Sequence, residues 1–156
     1  MKHYFFIIAI AAVALMANSC DNNEIPAPEV LKNTIPEAAT VTNTTPCSEI
    51  HNASGDLLGY MALSKPASDS IMGYAGETPL MVVFDTDRKI KSVILLENQE
   101  TPVFVERVTQ AGLLDAWNGM TVQEALNTTP DVVTGATFTS NGVIQTMHAC
   151  LNNMDK

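Results

Sequence analysis

Asp131-Val-Val-Thr-Gly-Ala-Thr-Phe-Thr-Ser140 lies close to the C-terminus, and an amphipathic stretch, Asn141 to Asn153, follows it at once. Val143, Ile144, Met147, Cys150, Leu151 and Met154 fall at helical spacing on one face. Thr139 or Ser140 is the expected N-cap, because a hydroxyl there accepts a bond from the first free backbone N–H groups. The segment therefore reads as a short strand, a glycine turn and a helix N-terminus furnished with two hydroxyls. Free N–H groups and the positive end of the helix dipole make such a place an anion site. Gly135 permits a positive φ, and Ala136 keeps bulk away from whatever binds.

Upstream, the pattern alternates strands and turns. Cys47 to His51 and Asp56 to Ser64 read as strands around the turn Asn52-Ala-Ser-Gly55. Lys65 to Asp69 is a loop and Ile71 to Gly76 a short extended piece. Pro79 to Phe84 and Ile90 to Glu97 form a hairpin across Asp85-Thr-Asp-Arg88. Val93 and Leu95 add to the apolar Ile90 and Ile94, so this strand is expected to be covered on both faces. Thr101-Pro102 is a helix start signal, and a helix broken at Gly112 follows as far as Trp117. Thr121 caps a short helix ending at Leu126, with Glu124 completing a capping box. Trp117 reads as core packing, and His148 as a boundary residue beside the apolar stripe.

The motif resembles the covalent-flavin signature of the FMN-binding domain family, to which the C subunit of the sodium-translocating NADH:quinone oxidoreductase and the G subunit of Rnf complexes belong. That pattern is an Asp, three residues, Gly-Ala-Thr, and Thr-Ser shortly after. Asp131, Gly135, Ala136, Thr137, Thr139 and Ser140 match it; Thr134 stands where the family usually has Ser. The resemblance extends to Gly73-Tyr-Ala-Gly76 and to Glu100-Thr101-Pro102, although Val103 replaces the Gly that usually follows. It implies FMN held through a phosphoester on Thr137, installed by an ApbE-type flavin transferase. It also implies that Glu100 and Thr101 line the flavin pocket. A helix N-terminus suits the negative charge a phosphodiester keeps.

Residues 1–19 have a charged start, an apolar run from Tyr4 to Met16 and small residues before Cys20, as in a signal peptide. The run is too short to span a membrane. Cys20 resembles the lipidated residue of a bacterial lipoprotein signal, with Ala17 in place of the usual Leu. Lipid anchorage to the cell envelope, periplasmic or at the cell surface, is the resulting expectation. Residues 20–46 carry many Pro, Thr and Asn and few large apolar side chains, so they read as a flexible tether to an FMN-binding domain over 47–156.

The formal net charge of −9, with no basic cluster, argues against partners such as nucleic acid or anionic lipid surfaces. Cys47 and Cys150 stand open to two readings, a disulfide or two buried thiols. Cys47 and His51 lack companions for a metal site. The expected fold is a single α+β domain, a twisted, mainly antiparallel sheet with helices packed on it. Two functions compete. One is an extracytoplasmic electron carrier between a membrane oxidoreductase and an external or periplasmic acceptor, rather than a stand-alone enzyme; an accessory subunit of an Rnf-like or sodium-pump-like complex is a variant of it. The other is a non-redox binding or scaffold lipoprotein on the same fold.

Overall fold

The computed structural model describes residues 23–154; the signal peptide expected over 1–19 and the lipidation expected at Cys20 lie outside them. The protein is built around β5 (Leu80–Phe84), whose five side chains are all buried. Leu80, Val82 and Phe84 enter one core; Met81 and Val83 enter another on the opposite face. Alternation of side chains along a strand produces this division. The strand pairs antiparallel with β6 (Ile90–Leu95), where Val93 faces Val82 and Ile94 faces Met81. β6 is covered on both faces, as its sequence implied. Asp85 shapes the connecting turn, its Oδ1 accepting from the N–H groups of Asp87 and Lys89 at 2.9 Å each.

The sheet has six strands in sequence order, every neighbouring pair antiparallel. β1 (Glu24–Pro26), β2 (Thr40–Thr42), β3 (Ser48–His51) and β4 (Leu57–Leu63) precede β5. Helices α2 (Pro102–Gln110), α3 (Val122–Leu126) and α4 (Thr137–Met154) follow, with a 3₁₀ turn over Leu113–Asp115. They form a layer on one face of the sheet. Trp117 is fully buried within that layer, and the Thr121–Glu124 capping box is formed. His148 is half-buried, its Nε2 3.2 Å from the Thr128 carbonyl.

The reading of 20–46 as a flexible tether is corrected for residues 23–46, the part of it that is described. β1 and β2 extend the sheet, in register from Glu24 against Thr42 to Pro26 against Thr40. Between them α1 (Glu29–Lys32) lays Leu31 on the sheet, with Ala27, Ile35, Ala38 and Val41, against Ile50, Met61, Met81 and Val83. This segment is the cover that β6 required on its second face. It escaped notice because one apolar residue in every three or four is enough for a thin covering layer, and Pro, Thr and Asn fill the gaps. Leu31→Ala is expected to cost about 2–5 kcal/mol in denaturant unfolding, as for a buried leucine elsewhere. A tether residue would cost nothing, so an unchanged midpoint would refute the packing.

Cys47 and Cys150 are both buried and free. Burial pushes the Cys150 thiol up to about 12, so it remains neutral at any physiological pH. Among the described residues no helix is long and apolar enough to cross a membrane.

Candidate functional site

Residues 131–133 are not a strand but an irregular segment with no sheet partner. The chain turns at Gly135, φ +78°, and α4 begins at Thr137. Thr139 and Ser140 are therefore not caps; both are buried inside the first turn. Ser140 fastens the turn instead. Its Oγ accepts from the Val133 N–H at 3.0 Å and donates to the Ala136 carbonyl at 2.9 Å. The Ser140 N–H takes that same carbonyl at 2.9 Å. The N–H groups of Thr137, Phe138 and Thr139 precede the first intrahelical bond and have no partner among the described residues. Thr137 itself is exposed. Thr139 is fully buried, and its Oγ1 has no hydrogen-bond partner. A hydroxyl in that state costs about 1–3 kcal/mol unless something meets it.

A second element closes on this turn from the Gly73–Gly76 loop. Glu100, only 6% exposed, takes the loop's backbone in its carboxylate. Oε1 accepts from the Tyr74 N–H, and Oε2 from Ala75 N–H at 3.2 Å and Thr101 N–H at 3.0 Å. The loop also closes on itself, the Gly73 N–H donating to the Gly76 carbonyl at 2.7 Å. Gly142 of α4 lies directly against Gly73; a Cβ at 142 would stand 2.9 Å from the Gly73 Cα. Gly142 thus lets the helix touch the loop's backbone, while a Cβ on Gly73 would meet the Glu100 carboxylate.

The contact sets Tyr74 beside the helix start. Its ring meets Phe104 edge-on, centroids 4.9 Å apart at 79°, and stands 6.3 Å from the ring of Phe138. Tyr74 is 61% exposed and Phe138 65%, large values for apolar rings side by side. With Gly135, Ala136, Thr137 and Thr139 the three rings line a mostly apolar recess of about 200 Å³. That is smaller than the usual 300–1,000 Å³ of an enclosing ligand pocket. It is a shelf that a flat ring can rest on. A larger groove of about 710 Å³ lies beyond the loop, lined by Met72, Glu77, Leu96 and Glu97, with Lys65 paired to Glu77. It contains no residue of the C-terminal motif and no unpaired cation, so the chemistry belongs to the smaller recess.

Of the residues expected from sequence, the structure brings Gly135, Ala136, Thr137 and Thr139 together at the recess. Ser140 lies behind them. Asp131 and Thr134 are exposed and do not line it. Glu100 does not line it either; its oxygens are engaged with the loop that carries Tyr74. Thr101 is half-buried at the start of α2 and makes no side-chain cap bond. Sequence reasoning passed over Tyr74, Phe104, Phe138 and Arg107. Tyr74 and Phe138 sat inside motifs already singled out. Phe104 and Arg107, three apart on α2, were visible only as helix residues. Among the described residues no cluster of His, Cys, Asp or Glu could hold a metal.

An exposed hydroxyl, free N–H groups and an aromatic shelf can together accept a phosphoryl group joined to a flat aromatic ring. The family model described as FMN-binding domain matches residues 73–152, which span the loop, α2 and the motif. The crystal structure of Shewanella oneidensis NqrC is similar at 20% identity and a TM-score of 0.46, covering 90% of this chain and 73% of that chain. No curated protein matches.

Proposed function

Because the chain belongs to the FMN-binding domain family, we propose that it carries FMN through a phosphoester on Thr137 and passes electrons between a membrane oxidoreductase and an acceptor outside the cytoplasm. The observation that carries this reading is the meeting of the Thr137 hydroxyl, the three free N–H groups and the aromatic shelf at one recess. Bound there, the flavin supplies the uptake and release of electrons. The protein's own residues do the rest. The N–H groups of Thr137, Phe138 and Thr139 would offset the phosphate charge. Tyr74, Phe104 and Phe138 give the ring an apolar seat. Gly135 and Ala136 leave room for the phosphate, and Ser140 locks the turn. Glu100 and Thr101 serve at one remove, through the loop and α2. Asp131 and Thr134, exposed beside the motif, are free to be read by the ApbE-type transferase that installs the group.

Protein matured beside such a transferase should gain the mass of one FMN and stay yellow through denaturation. A colourless, unmodified product under those conditions would leave only a non-redox role. A lipid anchor at Cys20 belongs to the same proposal, since it keeps the carrier at the envelope where its partners are. Cys20→Ala is expected to move the protein to the soluble fraction; continued sedimentation with the envelope would refute the anchor.

A further inference from the structure

Arg107 is a residue of α2, yet its guanidinium lies against the turn made 28 residues later. Nη1 donates to the Gly135 carbonyl at 2.9 Å. A Cβ on Gly135 would collide with that nitrogen. The φ of +78° is what calls for glycine at 135, and its bare Cα leaves the guanidinium room to rest against the turn. The side chain is exposed, and only one of its five N–H donors is engaged. No carboxylate lies within ion-pair distance of it among the described residues. Lys32 pairs with Glu29, Lys65 with Glu77 and Asp69, and Arg88 lies over the ring of Tyr60. Lys89 and Lys91 also lack an ion pair among the described residues, but of these two and Arg107 only Arg107 bonds to the motif turn. In a chain of net charge −9, an unpaired guanidinium held against the motif turn calls for an anion.

We infer that Arg107 pairs with the phosphoryl group at Thr137, both while it is being transferred and once it is in place. The inference rests on the reading that Thr137 carries FMN. In the transfer, Thr137 Oγ1 forms a bond to the flavin phosphorus of a flavin dinucleotide. The pyrophosphate P–O bond breaks, a nucleoside monophosphate leaves with the electron pair, and the hydroxyl proton passes to a base of the transferase. Negative charge gathers on the non-bridging oxygens, where a fixed guanidinium stabilises it. The resulting diester keeps one negative charge for the same partner. The unpartnered N–H groups of Thr137, Phe138 and Thr139 face the same need for an anion, independently of Arg107. A planar fork can hold the Gly135 carbonyl and a phosphoryl oxygen together, which the single ammonium of lysine does less well.

The experiment compares wild type, Arg107→Lys and Arg107→Gln, each incubated with a flavin transferase and flavin dinucleotide. The initial rate of FMN addition is read by intact mass, and the ³¹P resonance of the adduct is recorded across a salt series. Arg107→Gln is expected to slow addition on the order of 10- to 100-fold, the loss of one charge-assisted hydrogen bond. Its ³¹P resonance should shift and lose the salt dependence seen in wild type. Arg107→Lys should retain the salt dependence and fall between the two in rate. Arg107 is exposed, so all three proteins should show the same far-ultraviolet circular dichroism. A wild type that takes FMN while Arg107→Gln matches it in rate and resonance overturns the inference alone. Equal slowing of both variants with no change in resonance also overturns it, since it shows only a brace for the turn. A wild type that never takes FMN overturns this inference and the function together.

Discussion

Thr137→Ala, exported and matured beside a flavin transferase, will lack bound flavin, and its intact mass will fall below the wild type's by one FMN. No other hydroxyl near the turn can substitute. Thr139 is fully buried, and Ser140 is buried with its oxygen committed to Val133 and Ala136. Thr134 is exposed but lies outside the recess. The substitution removes an exposed side chain from the first position of α4, where alanine is a good helix former. Stability should therefore stay within about 0.5 kcal/mol of wild type. Thr137→Ser keeps a hydroxyl and should keep the label. If Thr137→Ala still gains the FMN mass, with the adduct mapping to Thr134 or Ser140, the attachment point is wrong and the recess is not the flavin's seat.

How far the sequence led depended on whether the deciding contact was local. β5, β6 and the capping box at Thr121 were legible because alternation and capping are written within a few residues. The start of α4 was displaced by three or four residues, because Thr139 and Ser140 look like caps until Ser140 is seen bonding back to Val133. The covering layer at Leu31 was lost to composition: its apolar residues are sparse, and only the uncovered face of β6 hinted that something must lie there. The motif supplied Thr137, but the partners that make a site of it come from residues 73–76 and from α2. Tyr74 and Arg107 reach the turn through tertiary packing, and no periodicity announces that. Glu100 shows the reverse case. Its resemblance to a pocket-lining residue said nothing of its carboxylate, which is directed at the backbone N–H groups of Tyr74, Ala75 and Thr101.

Gly142→Val should produce the opposite pattern to Thr137→Ala, losing stability while keeping the label. A Cβ at 142 would lie 2.9 Å from the Gly73 Cα, 3.0 Å from its nitrogen and 3.2 Å from Thr78 Oγ1. Two of those neighbours are backbone atoms, so no rotamer change relieves the clash. Valine's second branch adds to it, and in a helix its χ1 has little freedom. The Gly73–Gly76 loop must then move off α4. As it moves, Glu100 loses the N–H groups of Tyr74 and Ala75 and is left buried with fewer partners. We expect a loss of about 3 kcal/mol, the upper end of the usual overpacking range. Tyr74 leaves the shelf with the loop, but Thr137 and the turn held by Ser140 do not depend on it. The adduct should therefore form, with its ring less restrained and its fluorescence anisotropy lower than in wild type. Gly142→Ala should show a smaller version of the same effects. If Gly142→Val unfolds at the wild-type denaturant midpoint with unchanged anisotropy, contact between α4 and the loop is not what places Tyr74 at the site.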